Sequence, residues 1–212
     1  MVTDAAREGV DIFEIRVDRF GTLTPAFVID QVKMIKRHDR PLIGTIRSQQ
    51  EGGQAALTTT QREELYKTIS PFVDAIDVEL RTPMVKRIVA AARRNGNTII
   101  LSHHDFRGTP TDARLSGIVD HATSLGADMV KIAALGKHEH DVLRLLQFTA
   151  RHRQKHLVTM SMGNIGSISR LLFPLAGSLM TYTSVTPADG QIPAKRLIAD
   201  LRVYYPRYND AL

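Results

Sequence analysis

The sequence predicts an α/β fold of the (β/α)8 barrel class, also called the TIM barrel. Short apolar runs rich in β-branched residues alternate with stretches of helical periodicity along the whole chain. Strands that alternate with helices in this way form a parallel sheet with right-handed crossovers. The residues after the first run, 18–22, do not form the glycine-rich turn typical of a doubly wound sheet. We therefore favour a barrel over an open sheet.

Seven candidate strands can be read from the sequence, at residues 10–17, 41–46, 75–80, 98–103, 129–133, 156–160 and 179–184. The chain opens on a helical segment, residues 3–8, so a complete barrel would need one more strand ahead of it. Either the amino terminus is truncated or the gap is closed by other means, such as a partner chain. Thr60 and Glu63 have the spacing of a helix capping box. No linker composition interrupts the pattern, so we expect residues 1–212 to form a single catalytic domain.

Polar side chains recur two residues apart at the ends of several candidate strands. The pairs are Glu14 with Arg16, Asp77 with Glu79, and Ser102 with His104. Because side chains alternate along a strand, both members of a pair lie on one face. In a barrel these faces converge at the carboxyl-terminal mouth, where such folds keep their active sites. This convergence decides the choice of a barrel.

Lys131 lies inside an apolar run, residues 127–135, that is typical of a strand buried on both faces. An ammonium in such a place costs several kcal/mol unless it is paired, neutralised or used. Burial also lowers the pKa of a lysine, and the neutral amine can form a Schiff base with a ketone. A lone lysine near a strand end more often extends to solvent. The polar residues on the other strands favour the chemical role for Lys131.

The composition excludes several other classes of function. The chain has 212 residues, 43% of them hydrophobic, which is enough for one sizeable core. It has no cysteine, which excludes a disulfide framework and a thiolate metal site and fits a reducing cytoplasm. We find no signal peptide and no long apolar run, so we expect no membrane insertion. The net charge of +6 suits a small anionic substrate, and the scattered basic residues do not indicate nucleic-acid binding.

Six short motifs carry a resemblance to a known family. They are Glu14-Ile15-Arg16-Val17-Asp18, Thr45-Ile46-Arg47 with Glu51-Gly52-Gly53, Ser102-His103-His104-Asp105-Phe106, Val130-Lys131-Ile132-Ala133, Met162-Gly163-Asn164-Ile165-Gly166 with Ser169-Arg170, and Gly190-Gln191. Each is weak singly, but six in this order are specific. Over nearly its whole length the chain resembles the type I 3-dehydroquinate dehydratases. The resemblance implies a lyase of the shikimate pathway that converts 3-dehydroquinate to 3-dehydroshikimate without a cofactor or a metal.

The chemistry of this elimination assigns three catalytic roles. An iminium on lysine is an electron sink that eases loss of the neighbouring proton, so Lys131 is the candidate amine. One base can remove that proton and then protonate the leaving hydroxyl, which suits His104. His104 faces the mouth and directly precedes Asp-Phe, as in the family motif, whereas His103 points the opposite way. Glu79 could orient the imidazole, although Asp77 could serve instead.

A quinate-type substrate carries a carboxylate and hydroxyls, so its site needs cations and hydrogen-bonding groups. The resemblance assigns Arg170, in the first turn of a helix, to the substrate carboxylate. Arg47 and Arg16 are further fork-shaped donors at the mouth, together with Glu14. These charges could equally form a plain ion-pair network. Gln191 resembles the glutamine of the family's lid.

The sequence departs from the family at this lid, and other functions stay open. Pro187 stands where a serine is usual, and Asp189 brings a negative charge close to an anionic substrate. One alternative is a class I aldolase, which uses the same barrel and imine. The other is a degenerate homologue that acts as a binding subunit, although retention of Lys131 and His104 argues against it. Because the family often forms dimers, we expect a homodimer.

Overall fold

The computed structural model describes residues 2–186 and 191–205. Strands and helices alternate throughout this part of the chain. The strands are β1 (Phe13–Arg16), β2 (Leu42–Thr45), β3 (Ala75–Glu79), β4 (Thr98–Asp105), β5 (Met129–Leu135) and β6 (Leu157–Met162). The helices are α1 (Val2–Glu8), α2 (Pro25–Lys36), α3 (Thr59–Ile69), α4 (Val85–Arg94), α5 (Asp112–Ser124), α6 (Glu139–Arg151), α7 (Ser169–Ala176) and α8 (Ala194–Tyr204).

The six strands belong to one sheet in the sequential order β1-β2-β3-β4-β5-β6. The first four pair in parallel, with Glu14 beside Ile43, Thr45 beside Asp77 and Asp77 beside Ile100. A doubly wound sheet would reverse its strand order at a switch point, and this sheet does not. The sequential order is that of the barrel class predicted from the sequence.

The prediction of a seventh strand is wrong. Within the described residues, the segment 179–184 forms no strand, and only Ser184 makes an isolated parallel bridge, to Pro193. Threonine hydroxyls in this segment bond to backbone elsewhere, as Thr181 Oγ1 does to the Arg170 carbonyl at 2.8 Å. Such side-chain bonds compete with the regular ladder of a strand.

The start of α3 also differs from the prediction, by two residues. Thr58 is the N-cap, and its hydroxyl accepts from the Gln61 backbone N–H at 3.2 Å. The Gln61 side chain accepts in return from the Thr58 backbone N–H at 2.9 Å. The capping box therefore has the predicted form, but it uses Thr58 rather than Thr60.

The described residues fall into two compact units. The first unit comprises Asp11–His103 and Ser116–Lys131, and in it α3 packs on α2, α4 and β2. The second unit holds the other described residues, and in it α6 and α7 pack on β6 and on each other. Each unit has its own buried apolar side chains, such as Leu65 and Ile88 in the first and Phe148 and Phe173 in the second.

Candidate active site

Lys131 lies in β5 with only 4% of its surface exposed. Its Nζ donates to Asp77 Oδ2 at 2.8 Å and lies 3.8 Å from Glu14 Oε2. Glu14 Oε1 also accepts from Thr45 Oγ1 at 2.6 Å. A buried ammonium must be paired, neutralised or used, and in the structure Lys131 is paired with Asp77. Two carboxylates this close favour the charged ammonium, so the amine must give up a proton before it can attack a ketone.

Asp77 is the fully buried centre of the polar cluster in the first unit. Its Oδ1 accepts from Arg47 Nη2 at 2.9 Å and from Ser102 Oγ at 2.6 Å. Ser102 Oγ in turn accepts from Arg47 Nη1 at 2.8 Å. The sequence reasoning considered Asp77 only as a substitute for Glu79, so it missed this carboxylate as the partner of Lys131. The strand order, which brings β3 toward β5, decides that contact.

Arg47 is a buried cation that is shared between two carboxylates. Besides its bond to Asp77, its Nη1 lies 3.4 Å from Glu79 Oε1. Burial opposes the charge, but Asp77, Glu79 and Glu14 outweigh it and raise the pKa of Arg47 above its ordinary value. Arg47 is therefore charged at neutral pH. Its predicted contact with the substrate stays a prediction.

Glu79 is anchored on both of its oxygens. Oε1 accepts from the Ser48 backbone N–H at 2.6 Å, and Oε2 accepts from Arg62 and, at 3.2 Å, from Thr82 Oγ1. These bonds fasten the end of β3 to the loop after β2 and to α3. The role predicted for Glu79 toward His104 stays a prediction.

Arg16 forms a forked ion pair with Asp18, with Nε and Nη2 each 2.8 Å from a carboxylate oxygen. This geometry is the ion-pair network left open by the sequence. Asp18 also accepts from the backbone N–H groups of Arg47 and Gln54, both at 3.1 Å. Burial would raise the pKa of Asp18, but the bonds from Arg16 and these two amides lower it below its ordinary value. Asp18, which the sequence reasoning gave no role, thus organises the loop at residues 47–54.

Gly53 of this loop lies where there is no room for a side chain. A Cβ on Gly53 would lie 2.1 Å from the Arg47 carbonyl oxygen, so only glycine fits there. The Gly53 N–H donates to the Ser48 carbonyl at 2.8 Å and closes the turn. The neighbouring Glu51 is buried and its Oε1 lies 3.1 Å from Arg81 Nη2.

His104 lies near the end of β4, is half-buried, and belongs to the second unit. Its ring stacks on Phe106, with centroids 6.4 Å apart and planes at 16°. Side chains alternate along β4, so His104 shares a face with Ser102 and not with His103. The choice of His104 over His103 as the base stays a prediction that this alternation supports.

Arg170 is a buried arginine in the first turn of α7. Its Nη1 donates to the Ser161 carbonyl at 2.9 Å and to Ser169 Oγ at 2.8 Å. Among the residues that the structure describes, it has no ion-pair partner, and its Nε has no hydrogen-bond partner. Burial lowers the pKa of Arg170 to about 10. A buried guanidinium with no counter-charge is suited to an anionic ligand.

Gln191 is the first described residue after the gap at 187–190, and it is exposed. It lines an open cavity of about 510 Å³ in the second unit, together with Asn164 and Ser167. The two lid departures, Pro187 and Asp189, lie outside the described residues. In the described ranges, no group of three His, Cys, Asp or Glu side chains could hold a metal ion.

Comparison with known proteins decides the family. A family model described as type I 3-dehydroquinase matches residues 1–207. This chain belongs to the type I 3-dehydroquinase family. The 3-dehydroquinate dehydratase of Methanococcoides burtonii is 37% identical over 201 residues, which are 93% of this chain and 84% of that protein. The 3-dehydroquinate dehydratase of Salmonella typhimurium is 38% identical over 203 residues, which are 91% of this chain and 80% of that protein.

A solved structure of the same family shares the fold. It is the type I 3-dehydroquinate dehydratase of Clostridium difficile with covalently modified comenic acid, at a TM-score of 0.90 and 33% identity. The match covers 97% of this chain and 87% of that one. The predicted type I dehydroquinase family, the barrel class and a hydro-lyase are therefore confirmed. These findings favour a hydro-lyase over the class I aldolase.

Proposed function

We propose that this protein dehydrates 3-dehydroquinate to 3-dehydroshikimate, a step of the shikimate pathway, through a Schiff base on Lys131. One observation carries the proposal: the Lys131 amine is buried in a strand and held at 2.8 Å by Asp77. The neutral amine attacks the ketone carbon, and the ketone oxygen leaves as water. The iminium that remains is a cation, so the carboxylates of Asp77 and Glu14 that hold the ammonium also stabilise the imine.

His104 is the proposed acid and base of the elimination. Electrons from the C–H bond flow toward the iminium as the imidazole takes the proton. The resulting imidazolium protonates the hydroxyl on the next carbon, which leaves as water. Hydrolysis of the conjugated iminium then releases the enone and restores the Lys131 amine. The position of His104 on the same face of β4 as Ser102 supports this role, and Glu79 is the proposed orienting group.

Arg170 is the proposed partner of the substrate carboxylate. Its buried guanidinium lacks an ion-pair partner in the described part of the chain, and a bound carboxylate would supply one. Arg47, Arg16, Glu14 and Gln191 are the proposed contacts to the substrate hydroxyls. Arg16 and Arg47 are already bonded to protein carboxylates, so part of their proposed role is to hold those carboxylates in position.

Borohydride trapping tests the Schiff base. The reagent reduces an iminium to a stable secondary amine, so 3-dehydroquinate with borohydride should leave an adduct on Lys131 that peptide mass spectrometry locates. Lys131→Met should abolish both the adduct and turnover. Lys67→Met, which removes an exposed lysine of α3, should preserve both. The proposal fails if no adduct forms or if the adduct lies on another lysine.

The product separates the remaining alternatives. The dehydratase yields a conjugated enone that absorbs in the ultraviolet, whereas an aldolase releases a shorter carbonyl compound and a binding subunit yields neither.

We further propose that residues 1–212 act as one catalytic domain, that the chain forms a homodimer, and that it works in the cytoplasm. The cysteine-free sequence supports a reducing compartment. None of the helices in the described ranges has the length and apolar character of a transmembrane span.

A further inference from the structure

Arg62 is a buried arginine of α3 that the proposed mechanism does not use, with only 6% of its surface exposed. Its guanidinium donates to three different acceptors. Nε and Nη2 donate to the Ile46 carbonyl at 3.1 and 2.8 Å, Nη1 donates to Thr82 Oγ1 at 3.1 Å, and Nη2 also donates to Glu79. Only the planar fork of an arginine can reach all three, because a lysine presents its donors from one point.

Two of these acceptors hold the backbone on either side of Arg47. Ile46, whose carbonyl Arg62 binds, immediately precedes Arg47. Ser48, which follows it, donates its backbone N–H to Glu79, the carboxylate that Arg62 also binds. Arg62 therefore positions the backbone segment that carries Arg47.

A chain of alternating charges runs from Arg62 to Lys131. Arg62 pairs with Glu79, Glu79 lies 3.4 Å from Arg47, Arg47 lies 2.9 Å from Asp77, and Asp77 lies 2.8 Å from Lys131. Each of these side chains is almost fully buried, so solvent and salt screen the interactions weakly. A change of charge at one end is therefore felt at the other.

In the described part of the chain, Glu14 and Tyr66 also face these charges. Glu14 of β1 lies 3.8 Å from the Lys131 amine, and Tyr66 of α3 donates to the Asp77 backbone carbonyl at 2.7 Å. Burial, and after it the charge of Glu79, raises the pKa of Tyr66, so its hydroxyl stays neutral. The proposed function adds His104 of β4 as the acid and base of the elimination. From β4, the uncharged Ser102 completes the cluster.

We infer that Arg62 is a positioning residue for imine formation. Its positive charge neutralises the Glu79 carboxylate, so that Arg47 stays paired with Asp77. The Arg47–Asp77 pair in turn sets how readily Lys131 loses its proton. The inference rests on the proposed Schiff base at Lys131. Without Arg62, the charge of Glu79 would draw Arg47 away from Asp77. The charge of Asp77 would then act more strongly on Lys131 and hold its ammonium more tightly.

The test measures the rate of borohydride trapping at Lys131, with 3-dehydroquinate, as a function of pH. Arg62→Met should raise the pH of half-maximal trapping by about one unit, which is about a tenfold loss of rate on the acidic side. Arg62→Lys loses some of the hydrogen bonds but keeps the charge beside Glu79, so it should leave that pH within about 0.3 units of the wild type. Glu79→Gln removes the opposite charge and should shift it downward, and the double variant Arg62→Met, Glu79→Gln should return near the wild type.

Arg87→Met is the matched control, since it removes an arginine of the same unit that is 71% exposed and pairs with Glu63 at 2.5 Å. It should leave the pH of half-maximal trapping unchanged. A purely structural role for Arg62 would alter the melting temperature without moving that pH.

The inference is overturned if Arg62→Met traps with the wild-type pH dependence, or if Arg62→Lys shifts as far as Arg62→Met. A wild-type protein that forms no adduct at any pH would instead contradict the Schiff base itself. If circular dichroism shows that Arg62→Met does not fold, Glu79→Gln decides, and an upward or absent shift counts against the inference.

Discussion

Single residues in this protein owe their chemistry to the charges beside them. The Lys131 amine is buried, and the carboxylates of Asp77 and Glu14 lie 2.8 and 3.8 Å from it. Arg170 differs from Lys131, because it has no ion-pair partner among the described residues. Burial therefore lowers its pKa to about 10. In the proposed function, the first arrangement holds the amine that attacks the ketone, and the second leaves a cation for the substrate carboxylate.

His104 provides the prediction at this scale. His104→Ala should slow turnover by about a hundredfold to ten-thousandfold, the usual worth of a positioned acid and base. Imine formation needs only the amine, so borohydride should still trap the adduct on Lys131. His121→Ala, an exposed histidine of α5, is the control and should turn over normally. Undiminished turnover in His104→Ala would show that another group is the base.

Among the elements, the loop at residues 47–54 is held by the carboxylate of Asp18. Asp18 binds Arg16 and two backbone amides of this loop, which lowers its pKa. The lowered pKa means that the folded state favours the charged form. Its stabilisation is therefore complete above the unfolded value, about 3.9, and is lost as the pH falls through the lower folded value.

Asp18→Asn tests this linkage. At neutral pH the variant should lose about 1–3 kcal/mol of unfolding free energy, since a buried, bonded carboxylate is replaced. The difference from the wild type should shrink as the pH falls below about 4. Urea unfolding at several pH values measures both. Asp30→Asn, at an exposed site of α2, is the control. A loss that is independent of pH would contradict the role of the charge.

For the whole molecule, we expect a homodimer, because the family that the chain resembles often forms dimers. Sedimentation of the intact protein over a wide range of concentrations should show a species of twice the chain mass. Dissociation on dilution should lower the melting temperature, because association that occurs only in the folded state stabilises it. A species of one chain mass at every concentration would contradict the dimer.

The failures of sequence reasoning follow from contacts between distant segments. The seventh strand was expected from its apolar and β-branched residues, but hydroxyl bonds such as that of Thr181 take the place of a ladder. Thr60 has the correct spacing for a capping box, and so does Thr58, which the helix uses. Arg62 lies in the first turn of that helix, and nothing in its local sequence indicates burial against Glu79.

The sequence by itself determined the alternation of strands and helices, the strand faces that carry polar pairs, and the family, because periodicity and short motifs are local properties. Only the tertiary structure decided that Asp77 holds Lys131, that Arg16 is bound to Asp18, and that Arg62 is buried. These facts depend on which strands become neighbours and how far a side chain reaches. Distance and burial, which set the strength of a charge, arise only when the chain has folded.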